Sequence, residues 1–283
     1  HRGVAGRGNY SGGRNTMATA AAAEGMNTTT TTNANGEGGS KQENGQAQGE
    51  VEGKLNSVRK RVDAAAGECG DGGSGNPPRL VAVSKTKPLE MLLEAYRAGH
   101  RCFGENYVQE ILEKAPQMPD DVEWHFIGHL QSNKAKVLLE GVPNLSMLET
   151  VDSVKLADRL NRLCTEMGRT LNILVQVNTS GEESKHGVQP QDSLSLAQHV
   201  TTSCPSLRFS GFMTIGMPDF TSRPENFQSL AECRQKAARE LGVPEDQLEL
   251  SMGMSGDFEQ AIAMGSTNIR VGSTIFGART YKK

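Results

Sequence analysis

From Glu52 onward the chain alternates short apolar runs with longer stretches whose apolar residues recur at helical spacing. Leu55, Val58 and Val62 lie three and four apart, which predicts a helix ahead of the first strand. Eight strands are then predicted, at RLVAVS (79–84), RCFG (101–104), WHFIG (124–128), LSMLET (145–150), NILVQVN (172–178), RFSGFMTIG (208–216), LELSMG (248–253) and NIRVGS (268–273). Helical patterns such as LEMLLEAYRAG, DSVKLADRLNRLCTEMG and ENFQSLAECRQKAARELG fill the gaps between them. Gly99, Gly141, Gly168 and Gly242 stand where a helix-ending C′ residue is wanted. Strands alternating with helices call for a parallel sheet with crossovers. Eight uninterrupted repeats predict one closed (β/α)8 barrel of the TIM type, with an extra N-terminal helix, rather than an open doubly wound sheet.

The opening segment does not fit that pattern. Residues 1–50 are dominated by Gly, Ala, Thr, Asn and Gln and hold too little apolar area to offset the entropy of ordering. They are expected to be a disordered tail, leaving residues 51–283, roughly 230 residues, for the barrel. Up to Ala23 the tail carries Arg2, Arg7 and Arg14 and no acid, as organelle transit peptides do, but it shows no amphipathic helix. A leader ahead of a start at Met17 explains it as well.

Charge and cysteines narrow the partners. Net charge is −3 and no dense Lys/Arg block occurs, which removes the electrostatic footprint of a nucleic-acid binder. Cys69, Cys102, Cys164, Cys204 and Cys233 are odd in number, far apart and without a CxxC pair, so neither a disulfide framework nor a zinc site is expected. No apolar run reaches the roughly 18–20 residues that span a bilayer. The expectation is a soluble cytoplasmic protein that binds a small molecule, or a plastid or mitochondrial one if the tail is a transit peptide.

Active sites of such barrels lie at the C-terminal strand ends. Lys85 shares side-chain parity with Val81 and Val83, which carries its amine to the top of the barrel. A desolvated lysine is a competent nucleophile toward carbonyls, although spacing alone favours an ordinary strand-end lysine with its head group in water. Lys87, next to Pro88, is the weaker candidate. Ser255 and Gly256 stand near a helix start, and Gly272 and Ser273 end the last strand, where barrels commonly hold phosphate; capping and a tight turn explain them about as well. A lysine at strand one together with a phosphate cup at strands seven and eight points to a phosphorylated carbonyl compound, of which pyridoxal phosphate is the obvious member. His125 and His129 bracket a strand end without a carboxylate cluster, so no metal site is expected there. Glu105 and Glu149 read as general acids or bases, or as loop and helix-start charges.

The motifs AVSKTKP, HRCFGENYVQE, WHFIGHLQSNK, GFMTIGM, LSMGMSGDFEQAI and STNIRVGSTIFGAR resemble, in order and from roughly Lys54 to Tyr281, the pyridoxal phosphate homeostasis protein family, also described as proline synthase co-transcribed homologues. RVGS in place of the bacterial RIGT looks closest to the plant and green-algal branch. The resemblance implies a barrel like the N-terminal domain of alanine racemase and of ornithine decarboxylase, with pyridoxal 5′-phosphate held as a Schiff base on Lys85. By the same match Ser255, Gly272 and Ser273 hold the phosphate, Arg270 faces the pyridine nitrogen, and Asn106, His125 and Met213 line the ring pocket. An arginine can donate to that nitrogen but cannot protonate it, which makes the cofactor a poor electron sink.

A racemase needs a base on each face of its substrate, and only ten residues follow Ser273. A non-catalytic carrier is therefore expected, monomeric or weakly dimeric, that supplies the cofactor to apo-enzymes. The alternatives are a weak amino-acid racemase, a Schiff-base aldolase, or an interaction scaffold that binds no cofactor.

Overall fold

The computed structural model describes residues 42–68, 77–182, 185–215 and 224–278. Residues 1–41 of the expected tail, and Cys69, Gly216 and Tyr281, lie outside the described residues. Strands β1 (Arg79–Val83), β2 (Cys102–Glu105), β3 (Glu123–Phe126), β4 (Leu145–Val151), β5 (Leu171–Gln176), β6 (Leu207–Met213), β7 (Glu249–Ser251) and β8 (Asn268–Val271) pair in parallel in chain order. β8 returns to pair with β1, Val81 opposite Arg270, and closes the expected (β/α)8 barrel. Around it run α2 (Leu89–Arg97), α3 (Val108–Lys114), α4 (Ala135–Gly141), α5 (Val154–Glu166), α6 (Ser193–Ser203), α7 (Pro224–Leu241), α8 (Phe258–Ala263) and α9 (Ser273–Phe276).

α1 (Gln42–Gly67) precedes the barrel and runs across the boundary expected at residue 50. Val51, Leu55, Val58 and Val62 are buried along one stripe, and each such burial is worth about 1.5–3 kcal/mol. The carboxylate of Glu94, on α2, accepts the N–H groups of Val51 at 2.9 Å and Glu52 at 3.1 Å and so ties α1 to the barrel wall. Three of the glycines expected to end helices, Gly99, Gly168 and Gly242, have positive φ of 80°, 64° and 67°. Gly141 differs: it is the last residue of α4 itself and has no positive φ, and a Cβ there would meet the Leu112 side chain, 2.1 Å from its Cδ2, so that the leucine would have to move.

Strand alternation sorts the side chains into two layers. Ala82, Phe103, Trp124, Leu148, Ile173, Phe212 and Ile269 face outward into one apolar core shared with the helices. The inward set is mixed: Met147, Leu174 and Met213 form a small separate apolar cluster, while His125, Glu149, Ser251, Asn268 and Arg270 are buried polar groups. A polar barrel interior of this kind is stable only if its groups satisfy one another. Because all strands are parallel, their C-terminal ends share one face, and Lys85, Asn106, Ser255 and Gly272 all follow such ends.

Candidate functional site

Lys85 leaves the end of β1 half-buried between two fixed backbone groups. On one side Ser84 is held twice: its carbonyl accepts from Lys114 Nζ at 2.8 Å, and its hydroxyl donates to Glu105 Oε1 at 2.6 Å. On the other side Thr86 has φ of 60°, rare for a β-branched residue, and its N–H donates to Glu110 Oε2 at 2.7 Å. Lys114 joins the two sides, donating to Glu105 at 2.7 Å and to Glu110 at 2.8 Å. A strained left-handed residue costs of order 1–3 kcal/mol and persists only where its surroundings over-determine it. Here two carboxylates and a buried ammonium do so, and the consequence is a fixed direction for the Cα–Cβ bond of Lys85. Burial pushes the Glu105 carboxyl above its ordinary value, against the pull of Lys114 and Ser84. Glu105 is thus a structural anchor, neither a general acid nor a loop charge.

Lys85 lines a cavity of ≈ 330 Å³ together with Lys87, Asn106, Ser255, Arg270, Gly272 and Ser273, the remaining wall including Val83, Ile127, Ile215 and Met254. That volume lies in the range of small-ligand pockets. Ser255 belongs to the turn just before α8, and its Oγ accepts the N–H of Gly272 at 3.1 Å. The loops after β7 and β8 are thereby joined. A Cβ on Gly272 would sit 3.2 Å from Val83 O, so a larger residue there would crowd the wall beside Lys85. Across the cavity, a Cβ on Gly128 would meet Asn106 O at 1.9 Å, which makes glycine necessary where β3 ends against Asn106. The buried Oδ1 of Asn106 has no hydrogen-bond partner among the described residues. A donor on a ligand would satisfy it. These residues fit a phosphorylated aldehyde: an amine, an arginine and an unpaired acceptor surround one space beside two linked glycine- and serine-bearing loops. Lys87 also lines the space, but its ammonium donates to Ala278 O at 2.6 Å.

His125 and Met213 do not line this cavity. Both are buried, at 1% and 0% exposure, His125 next to last in β3 and Met213 last in β6, and Ile127 and Ile215, two residues further along, take the wall positions instead. His125 belongs to a buried charge network. Its Nδ1 lies 2.6 Å from Glu149 Oε1, Asn268 Nδ2 donates to the same oxygen at 3.1 Å, and Ser251 Oγ donates to Glu149 Oε2 at 2.5 Å. Arg270, 4% exposed, donates to Ser251 Oγ and, at 2.7 Å, to Thr214 O, with Glu149 4.0 Å away. Burial lowers the Arg270 guanidinium from its ordinary value, with Glu149 and Asp257 acting against it. The cavity-lining guanidinium is therefore held from below by a carboxylate that no solvent reaches. Asn268 was legible in principle, two residues before Arg270 and on the same face; Lys114 and Glu110 left no signal beyond an ordinary i, i+4 helix pair.

The network makes stability depend on pH. Burial is the largest influence on both partners and disfavours their charges. The Cys102 sulfur and Glu149 nevertheless carry His125 up to about 10, and His125, Arg270 and Ser251 hold Glu149 down at about 2. A raised histidine stabilises fully below its ordinary value of 6.5 and loses that contribution as pH rises toward 10. The depressed carboxyl contributes above 4.5 and loses its contribution as pH falls through 2. The urea midpoint is expected to fall as pH rises from 6.5 to 10, and Glu149→Gln to flatten that slope. A wild-type midpoint constant over that interval would contradict the pairing.

No helix among the described residues is long and apolar enough to cross a membrane. Fold and cavity together define a class, the barrel described as "Alanine racemase, N-terminal domain", whose family model matches residues 55–280. Within it, the chain is 52% identical over 239 residues to the pyridoxal phosphate homeostasis protein of Bos taurus, covering 81% of this chain and 87% of that protein. It is 41% identical over 237 residues to the pyridoxal phosphate homeostasis protein of Haemophilus influenzae, covering 82% and 97%. PipY of Synechococcus elongatus PCC7942, 32% identical, has been solved without PLP (TM-score 0.67) and with PLP bound (TM-score 0.61), each match covering 80% of this chain and 100% of PipY. The chain belongs to the pyridoxal phosphate homeostasis protein family. Alanine racemase from Bartonella henselae, 13% identical with a TM-score of 0.60 over 82% of this chain and 59% of the racemase, shares the fold alone.

Proposed function

We propose that this chain binds pyridoxal 5′-phosphate in the ≈ 330 Å³ cavity, holds it through Lys85, and passes it to apo-enzymes rather than turning over a substrate. The observation that carries the reading is the convergence of Lys85, Arg270 and the loops bearing Ser255, Gly272 and Ser273 on one space, in a family with a PLP-bound member. When bound, the cofactor supplies an aldehyde that joins reversibly to amines and a ring able to take up negative charge. Lys85 would be the covalent anchor, aimed by the fixed backbone at Ser84 and Thr86. The N–H groups and hydroxyls around Ser255, Gly272 and Ser273 would hold the phosphate. Asn106 would accept a hydrogen bond through its unpaired Oδ1, and Arg270, always protonated, would donate to the ring nitrogen without giving it a proton.

The carrier role rests on what surrounds Lys85. Among the described residues lining the cavity, the ionisable side chains are Lys85, Lys87 and Arg270, with no carboxylate, histidine or tyrosine. A racemase or aldolase needs a further acid or base positioned at the reacting carbon. The proposal places the protein in a compartment where apo-enzymes meet the free cofactor.

The test is reduction with sodium borohydride after mixing the protein with pyridoxal 5′-phosphate, followed by peptide mapping. One cofactor per chain, fixed on Lys85, is the expected result. Label on Lys87, or none, would overturn the anchor; sustained Lys85-dependent turnover of an amino acid would overturn the carrier role.

A further inference from the structure

Three side chains that the cofactor cavity does not use converge on the same face of the barrel. His129 follows β3, Asp152 follows β4 and His186 follows β5, so they come from three successive strand-to-helix loops. Their ring nitrogens and carboxylate oxygen can all lie within 4.8 Å of one another. The two imidazoles stack, with centroids 3.6 Å apart and planes 7° apart. Asp152 Oδ2 lies 3.4 Å from His129 Nδ1, longer than the about 2.7–2.9 Å of a charge-assisted hydrogen bond. Among the described residues the Asp152 carboxylate, only 15% exposed, has no other hydrogen-bond or ion-pair partner. The three groups thus surround a common point without being bonded to one another.

A second observation points to a ligand there. His129 and His186 line a cavity of ≈ 190 Å³ that shares Asn106, Ile127 and Ile215 with the larger one, and Gln176 forms part of its wall. Gln176 is 3% exposed, and its Oε1 has no partner, although its Nε2 donates to His186 O at 3.1 Å. A buried acceptor left unpaired costs roughly 1–3 kcal/mol, and a water held on a metal ion is a strong donor for it. The loop carrying His186 is also anchored at both ends: Asn178 N donates to Val188 O at 2.8 Å and Val188 N to Gln176 O at 2.9 Å. By contrast, the other cluster with ligand-type groups, Asp158, His199 and Cys204, is closed by a direct 2.7 Å contact between His199 and Asp158.

We propose that His129, Asp152 and His186 form a site for a divalent transition-metal ion, with a remaining coordination position open to the ≈ 190 Å³ cavity. Two imidazoles and one carboxylate suit Zn²⁺, whereas Mg²⁺ and Ca²⁺ prefer oxygen alone. Bonds of about 2.0–2.2 Å would draw the ligand atoms in by on the order of 1 Å and tilt the stacked rings until both nitrogens aim at one ion. The exposed positions of the two histidines permit that tilt.

The test uses the full chain after EDTA treatment, titrated with ZnCl₂ by calorimetry and with CoCl₂ by visible absorption. One equivalent is expected, with His129→Ala, His186→Ala and Asp152→Asn each weakening binding more than about 100-fold, beyond the loss typical of an outer-shell partner. Lys85→Ala should bind the metal unchanged, which separates this site from the cofactor anchor. Circular dichroism of each variant checks that the fold is retained. No uptake by the wild-type chain, or uptake that the folded variants leave unchanged, would overturn the site and reduce the stacked histidines to aromatic packing.

Discussion

Lys85→Ala is expected to show no visible aldimine band on incubation with pyridoxal 5′-phosphate, and no cofactor fixed to the chain after borohydride reduction. The other cavity groups, Ser255, Arg270, Gly272 and Ser273, remain, so weak reversible binding should persist while the visible band of the anchored cofactor does not. The fold should be nearly untouched. Lys85 is half-buried at a strand end, and substitutions of that kind usually fall within about 0.5 kcal/mol, about 2 °C in Tm for a barrel of this size. Lys87→Ala is the control, because Lys87 lines the same cavity. A Lys85→Ala protein that still fixes the cofactor, or a Lys87→Ala protein that does not, would show that the wrong amine had been chosen.

Lys114→Met should be the most destabilising of the substitutions considered. The side chain is 10% exposed and its ammonium meets Glu105 and Glu110 as well as the Ser84 carbonyl, while the Glu105 side chain is wholly buried. Removing one partner of a buried pair leaves an uncompensated charge and costs about 3–5 kcal/mol, equivalent to a fall in Tm of roughly 6–20 °C. Methionine keeps the apolar stem, so the loss isolates the charge. Adding Glu105→Gln to Lys114→Met should recover much of it, because no buried carboxylate then lacks a cation. Cofactor binding should weaken in the single variant even where it is folded, since Glu110 loses the contact that helps hold Thr86 in its left-handed conformation. A melt lowered by less than about 1 kcal/mol would mean that the pair is solvated and does not direct Lys85.

Several parts of this molecule could be read along the chain. The period-two apolar runs and the helices between them locate all eight strands, and the only boundary errors of consequence are at the ends, as where β6 stops at Met213 rather than running on to residue 216. Lys85, Asn106, Ser255, Gly272 and Ser273 could be picked out because each follows a strand end, and parallel strands bring all such ends to one face. The helix before the barrel was legible only in part: Leu55, Val58 and Val62 show the stripe, but the nine residues from Gln42 to Glu50 carry little apolar signal, and α1 includes them all the same.

The depth of a residue within the barrel could not be read in this way. His125 and Met213 alternate correctly with their strands, yet whether an inward residue reaches the cavity or lies beneath it depends on strand stagger, which arises only when the barrel closes. The same holds for partners distant in the chain. Glu149 meets Ser251 and Asn268 across 102 and 119 residues, and the clamp on Lys85 joins β1 to groups on β2 and α3.

By itself, then, the sequence determined the number and kind of elements and the face on which the candidate site lies, because these follow from periodicities of two and 3.6 residues that are local properties of a chain. Tertiary structure alone decided which buried charges pair, why Thr86 keeps its strained backbone beside Lys85, and that His129, Asp152 and His186 surround one point. Those outcomes depend on the register of β-strands far apart in the chain, and local pattern carries no information about register until the sheet has closed.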